Sequence, residues 1–301
     1  MHSMNFSIVI PSYNGASKLP ELLKKIQFND LSNSEIIVVL DGSTDGSKLL
    51  LEKLPFPNLT ILSQPNRGRA NARNAGAHIA KGDIIFFFDD DIGLKPNTIA
   101  EHLSHHNVHP DTILVGKVAL DVNKLSKDFD FYIMSLLIKW EKDNKSKTVI
   151  DIGNFKFTTQ HLSMPKNIFH SIGGFDDRLT DAEDYDLGMR ALMLKIPIYY
   201  DPHIVAYHND FPTCEKYIKR QIEYKRSHKE LELLGKQYGH NLFPALRKPA
   251  LLRRTILSLF SGSRWIYMID QESLTFLPIY IRYKFYSEII YAQTLKGLKL
   301  I

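Results

Sequence analysis

A single cysteine, Cys214, in 301 residues excludes a disulfide within the chain, so the fold must rest on a packed core, and a reducing compartment is its natural setting. The opening stretch MHSMNFSIVIPSYN lacks the basic region and long apolar run of a secretory leader. No apolar stretch approaches the roughly 20 residues that cross a bilayer. A cytoplasmic protein is therefore expected, free or peripheral at the inner face of the membrane. Internal repeats and low-complexity tracts are absent, which excludes solenoid arrays, and no linker is long enough to separate domains cleanly. Nucleic-acid recognition motifs are missing too, so no nucleic-acid partner is expected despite a formal net charge of +5.

What is present is a chain 44% hydrophobic and 24% charged, enough for a sizeable core. Its charge is uneven. From Phe211 to Ile301 there are 16 Lys and Arg against 7 Asp and Glu, a net of +9, which leaves −4 for residues 1–210. Within that basic tail, RRTILSLFSGSRW and IRYKFYSEIIYAQTLKGLK mix basic residues with aromatic and aliphatic ones, the composition of interfacial helices. The tail is expected either to touch an anionic membrane surface or to pack with its basic face in water.

The first half alternates β-rich runs with helical segments: FSIVI and ASKLPELLKKI, EIIVVL and GSKLLLEKL, LTIL and RANARNAGAHIA, DIIFFF and PNTIAEHLSHH. This order predicts an α/β fold with a largely parallel sheet covered on both faces. Ligands of such sheets bind beyond the carboxyl ends of the strands. The polar clusters PSYNG, DGSTDGS, NRGRANARN and DDDIG fall there. Thr112–Leu120 reads as a further strand, DFDFYIMSLLIKWEKDNKSK as a helix and polar loop, and the region beyond Phe211 as helical.

Asp89, Asp90 and Asp91 end an apolar strand, and their mutual repulsion calls for a neutralising partner. A hard divalent cation, Mn2+ or Mg2+, meets that need and would share its remaining sites with water and phosphate oxygens, which implies a phosphorylated ligand. The competing explanation is a solvated acidic turn. Tyr13 offers a face on which a base can stack, Asp41 a hydrogen-bond acceptor for base or ribose, and Arg73 a partner for a phosphate or base oxygen. Asp41 also suits a plain turn or cap. Glu183, Asp184 and Asp186 open a predicted helix, where they favour its dipole whether or not Asp184 projects into a cleft.

The stretches VIPSYNGASKLPELL, EIIVVLDGSTDGS, NRGRANARNAGAHIAKGDIIFFFDDD and SIGGFDDRLTDAEDYDLGMRAL together resemble family 2 glycosyltransferases, inverting enzymes with the GT-A nucleotide-sugar fold. The resemblance covers roughly residues 5–210. It implies a mostly parallel central sheet flanked by helices in a catalytic domain over 1–210, with a nucleotide-sugar and metal-binding half in 1–120 and an acceptor half in 121–210. A basic helical extension, 211–301, follows. By the same resemblance Tyr13 and Asp41 sit at a uracil-type base, and Asp89 and Asp91 match the outer members of the DxD motif, with Asp91 expected to hold the metal. Asp184 matches the catalytic base, and His208 lies where several members place a histidine metal ligand. Pro11, Arg73, Asp90 and Glu183 complete the candidate substrate contacts. One departure is that Leu40 precedes Asp41 where many members carry a second acid.

The implied activity is transfer of a sugar from a nucleotide-sugar, expected to be a UDP-sugar, to a saccharide, lipid-linked or protein acceptor hydroxyl, in polysaccharide or glycoconjugate synthesis. Two alternatives share such a sheet. A sugar-1-phosphate nucleotidyltransferase would need a Gly- and Arg-rich loop after the first strand, and PSYNG is not one. A non-catalytic nucleotide-sugar-binding protein would not need both Asp91 and Asp184.

Overall fold

The computed structural model describes residues 4–141, 146–234 and 248–301. The chain divides into two compact units, one of residues 1–121 and 144–209 and one of residues 122–143 and 210–301.

The first unit runs β1 (Phe6–Ser12), α1 (Leu19–Ile26), β2 (Ser34–Asp41), α2 (Ser47–Glu52), β3 (Leu59–Gln64), α3 (Arg69–Ile79), β4 (Ile84–Phe88), β5 (Ile92–Leu94), α4 (Thr98–Val108) and β6 (Ile113–Leu120). After α5 (Asp128–Glu141), which belongs to the second unit, it resumes with β7 (Thr148–Val149), β8 (His161–Pro165), α6 (Lys166–Ile172), α7 (Glu183–Met193) and β9 (Ile198–His208). The strands form one sheet in the order β3-β2-β1-β4-β8-β6-β9-β5, with β7 on β9. Pairing is parallel from β3 through β4 and between β6 and β9, and antiparallel where β4 meets β8, β8 meets β6, and β9 meets β5 and β7.

Period-2 alternation sends the strand side chains into two cores. Val9, Ile37, Val39, Ile85 and Phe87 pack on one face with Ala70, Ala72 and Ala77 of α3 and Leu187 and Ala191 of α7. Ile8, Ile10, Ile36, Val38, Phe86 and Phe88 pack on the other with Leu19, Leu22, Leu23 and Ile26 of α1, which recur at helical spacing. A Cβ on Gly76 would collide with Val9 and Val39, so the glycine lets α3 lie close on the sheet. With both faces buried, the parallel registers bring the ends of β1, β2, β3 and β4 to one edge.

Behind that edge lies a buried histidine network. His161 Nδ1 is 3.3 Å from the Lys117 carbonyl, so it carries the proton and leaves Nε2 to accept from His102 Nε2 at 3.1 Å. His102 Nδ1 then accepts from the Ser163 hydroxyl, whose oxygen accepts from His106 Nε2, both at 2.7 Å. Every ring is neutral in this chain of bonds. Burial pushes His161 and His106 down to about 4 and His102 well below the ordinary range.

The second unit comprises α5, α8 (Cys214–Leu233), α9 (Leu251–Phe260), α10 (Ser263–Asp270) and α11 (Ile279–Gly297). Phe129 and Tyr132 of α5 share a core with Cys214, Ile218, Ile269, Tyr286 and Ile289. Asp128 accepts from Arg282 at 2.5 Å and from the Tyr286 hydroxyl at 2.8 Å. Residues 122–141 thus pack with the C-terminal helices, whereas the sequence reading grouped them with the acceptor half. Of the region beyond Phe211 expected to be helical, α8 is described as far as Leu233, and residues 235–247 lie outside the described residues.

Candidate active site

Asp89, Asp90 and Asp91 follow β4 at the carboxyl edge, and each meets a different partner. Asp89 Oδ1 accepts from Arg73 Nη2 at 2.7 Å, and the opposite nitrogen, Nη1, donates to Glu183 Oε1 at 2.8 Å. Arg73 is 1% exposed, and its guanidinium lies 5.5 Å from the Phe175 ring centroid. Burial opposes the Asp89 charge, but Arg73 and then Arg69 outweigh it and hold the carboxyl below its usual range. The sequence reading assigned Arg73 to a ligand oxygen and Glu183 and Asp89 to substrate or metal. The fold commits both ends of Arg73, on α3, to a buried bridge between these acids.

Asp90 accepts from the Ser12 hydroxyl at 2.6 Å, and Lys18 Nζ lies 3.6 Å from its other oxygen. Burial pushes this carboxyl up to about 6, with Ser12 and Lys18 pulling the other way. Gly15 leaves room here, since a Cβ would collide with the Ser12 hydroxyl and Asp90. Asp91 has Lys18 Nζ 3.3 Å from Oδ2 and His208 Nε2 3.5 Å from Oδ1. His208 reaches it because β9 pairs with β5, opposing His208 to Ile92, and the Asn209 amide donates to the Asp91 carbonyl at 2.9 Å.

Asp91 Oδ1 is buried with no hydrogen-bond partner among the described residues, a costly state that a cation would relieve. The carboxylate oxygen suits Mn2+ or Mg2+. Among the described residues no group of three or more His, Cys, Asp or Glu is gathered to hold a metal. A cation at Asp91 and His208 would therefore take its other ligands from water and diphosphate, the usual habit of such ions.

Asp41, read as an open acceptor, is buried and already engaged. Its carboxylate accepts from Gln64 Nε2 at 2.8 Å and from the amides of Arg67 and Gly68 at 2.9 and 2.8 Å. It shapes the loop leading into α3, where Gly68 takes φ 88°. Pro11 is likewise a buried residue of β1, opposite Val39, with no open face. Tyr13 is exposed just beyond β1. Beside it the Asn14 amide donates to the Ser43 hydroxyl and the Thr44 amide to Asn14 Oδ1, tying together the loops after β1 and β2.

Asp184, in the first turn of α7, is partly buried and accepts from the Tyr185 amide at 2.7 Å. Burial and then the neighbouring Glu183 charge push its carboxyl up to about 7, against the pull of Arg73 and Arg69. A carboxylate at that value can take a proton near neutral pH. Sequence reasoning missed Ser12, Lys18 and Arg69. Arg69, one helical turn before Arg73, is half exposed and pairs with Asp181 at 3.2 Å. The i, i+4 spacing of the two arginines was its only signal.

The pattern of glycosyl transferase family 2 matches residues 7–173, more than half of the chain. A protein of Haemophilus influenzae (strain ATCC 51907 / DSM 11121 / KW20 / Rd), named as an uncharacterized glycosyltransferase, is 29% identical over 187 residues, 62% of this chain and 61% of its own length. Two solved structures share the fold. The mannosyltransferase PcManGT of Pyrobaculum calidifontis, in complex with GDP-Man and Mn2+, aligns at TM-score 0.63 and 19% identity over 99% of this chain and 88% of its own. Residues 1–349 of S. aureus TarS with UDP-GlcNAc align at TM-score 0.53 and 16% identity over 98% and 92%. The fold is that of these GT-A glycosyltransferases, and by the match over residues 7–173 the chain belongs to glycosyl transferase family 2.

Proposed function

We propose that the protein is an inverting glycosyltransferase that moves a sugar from a nucleotide-sugar to an acceptor hydroxyl. The observation that carries this reading is Asp184, a carboxylate raised to about 7 at the start of α7 and next to Glu183, which Arg73 ties to the acidic edge. Asp184 accepts the acceptor proton as its oxygen attacks the anomeric carbon from the face opposite the diphosphate. Tyr13 stacks on the base, and Arg69, on the exposed rim, pairs with donor phosphate. Asp91 and His208 would hold Mn2+ or Mg2+, which when bound supplies charge neutralisation for the departing diphosphate. Lys18 lies 3.6 Å from Asp90 and 3.3 Å from Asp91 and offsets part of their charge.

A UDP-sugar is the donor we propose, and GDP-sugars form the comparison set, since the two fold relatives above were solved with one of each. The acceptor is a saccharide, lipid-linked or protein hydroxyl in glycoconjugate synthesis. The test is release of nucleoside diphosphate from a donor panel, with and without Mn2+, by wild type and Asp184→Asn. We expect transfer by the variant to fall about 100- to 10,000-fold with donor affinity within a few-fold of wild type. Near wild-type turnover in Asp184→Asn would remove this residue from the mechanism.

A further inference from the structure

Helix α9 carries its hydrophobic residues on two faces. Leu257 is buried and packs with Ala292 and Leu295 of α11. Leu251, Leu252 and Leu259 are 77%, 76% and 68% exposed, and Ile256 is also exposed. At 3.6 residues per turn these four form one stripe directed away from Leu257. Tyr267 on α10 and Phe276, Ile279 and Tyr280 at the entrance to α11 add exposed apolar groups to the same unit. Single exposed leucines are ordinary, but a stripe of four large aliphatic residues on one helix marks a binding surface.

The charges around the stripe select its occupant. Residues 248–301 hold eight Lys and Arg and three acids. All three acids are engaged: Asp270 accepts from the Cys214 amide, Glu272 from the Asp128 amide, and Glu288 from Arg253. Among the described residues no carboxylate pairs with Lys248, Arg254, Arg264 or Lys284, all exposed. A second copy of the chain would set this positive surface against itself. We infer that the α9 stripe docks on an anionic lipid surface, its leucines entering the headgroup boundary while Arg254 and Arg264 meet lipid phosphates. No helix among the described residues is long and apolar enough to cross a membrane, so the contact is interfacial.

The test is sedimentation of the full chain with phosphatidylcholine vesicles, with and without phosphatidylglycerol, at low and high salt, an assay that does not depend on transferase activity. Wild type should bind the anionic vesicles at low salt and leave them at high salt. Combining Leu251→Ser, Leu252→Ser and Leu259→Ser should weaken binding about 100-fold or more with an unchanged melting temperature, because these side chains support no core. Arg254→Gln with Arg264→Gln should cost about fivefold per charge and flatten the salt dependence. Absence of wild-type binding at low salt overturns the inference. So does wild-type binding by the triple-leucine variant, or a wild-type dimer in sedimentation equilibrium that this variant dissolves without any effect on lipid.

Discussion

Replacing Arg73 by methionine tests whether the buried bridge organises the site. In the wild type one guanidinium, 1% exposed, joins Asp89 at 2.7 Å to Glu183 at 2.8 Å. Methionine fills similar volume but leaves the two carboxylates without the cation that bridges them, and breaking a buried pair in this way costs about 3–5 kcal/mol. For a unit of this size that corresponds to a fall in melting temperature of roughly 6–20 °C. A second effect reaches the chemistry. Arg73 pulls the Asp184 carboxyl down, so its loss raises that pKa above about 7. Because the base works deprotonated, the acidic limb of kcat/KM must move to higher pH. Adding Glu183→Gln to Arg73→Met should recover part of the stability by removing one unpaired charge. Differential scanning calorimetry and a pH–rate profile are the measurements. A variant melting within about 2 °C of wild type, with an unmoved acidic limb, would refute the bridge as the organising element.

The histidine network makes acid pH destabilising. His106 titrates at about 4 in the folded protein against an ordinary 6.5, so its contribution is complete above 6.5 and is lost as pH falls toward 4, by about 1.4 kcal/mol per pH unit. His106→Gln keeps a donor for Ser163 without titrating, so denaturant stability between pH 6 and pH 4.5 should fall less steeply than in wild type by that amount. The raised carboxyls of Asp90 and Asp184 gain stability as pH falls, but they do so equally in both proteins and cancel from the difference. Equal slopes would show that His106 is not the buried neutral group described. Asp91→Asn removes the charge from the orphaned oxygen facing His208. UDP affinity should then lose its dependence on Mn2+, and titrations in Mn2+ and in chelator that still differ as in wild type would contradict the assignment.

Much of the architecture was legible because its signals are local. Runs such as FSIVI and DIIFFF have no alternative to a buried strand between polar clusters, and the spacing of Leu19, Leu22, Leu23 and Ile26 reads as one helix face. The strands β5, β7 and β8 were not legible. They are two to five residues long, and in β8 the polar His161 and Ser163 point into a network whose partners lie 57–61 residues away. The same limit hid the packing of residues 122–141 with the C-terminal helices.

The acidic run after β4, the carboxylates opening α7 and the polar clusters at the strand ends were set by the sequence alone, since each follows from residue order and strand period. Which carboxylate serves which purpose was decided by the tertiary structure. Arg73 joins acids 16 and 110 positions away in the chain, Asp41 accepts from the loop that leads into α3, and Asp91 meets His208 through the pairing of β5 with β9. The physical reason is that a charge acquires its role from what it is buried against. Burial beside Arg73 keeps Asp89 ionised, while burial beside Glu183 lifts Asp184 into the range where it can take a proton.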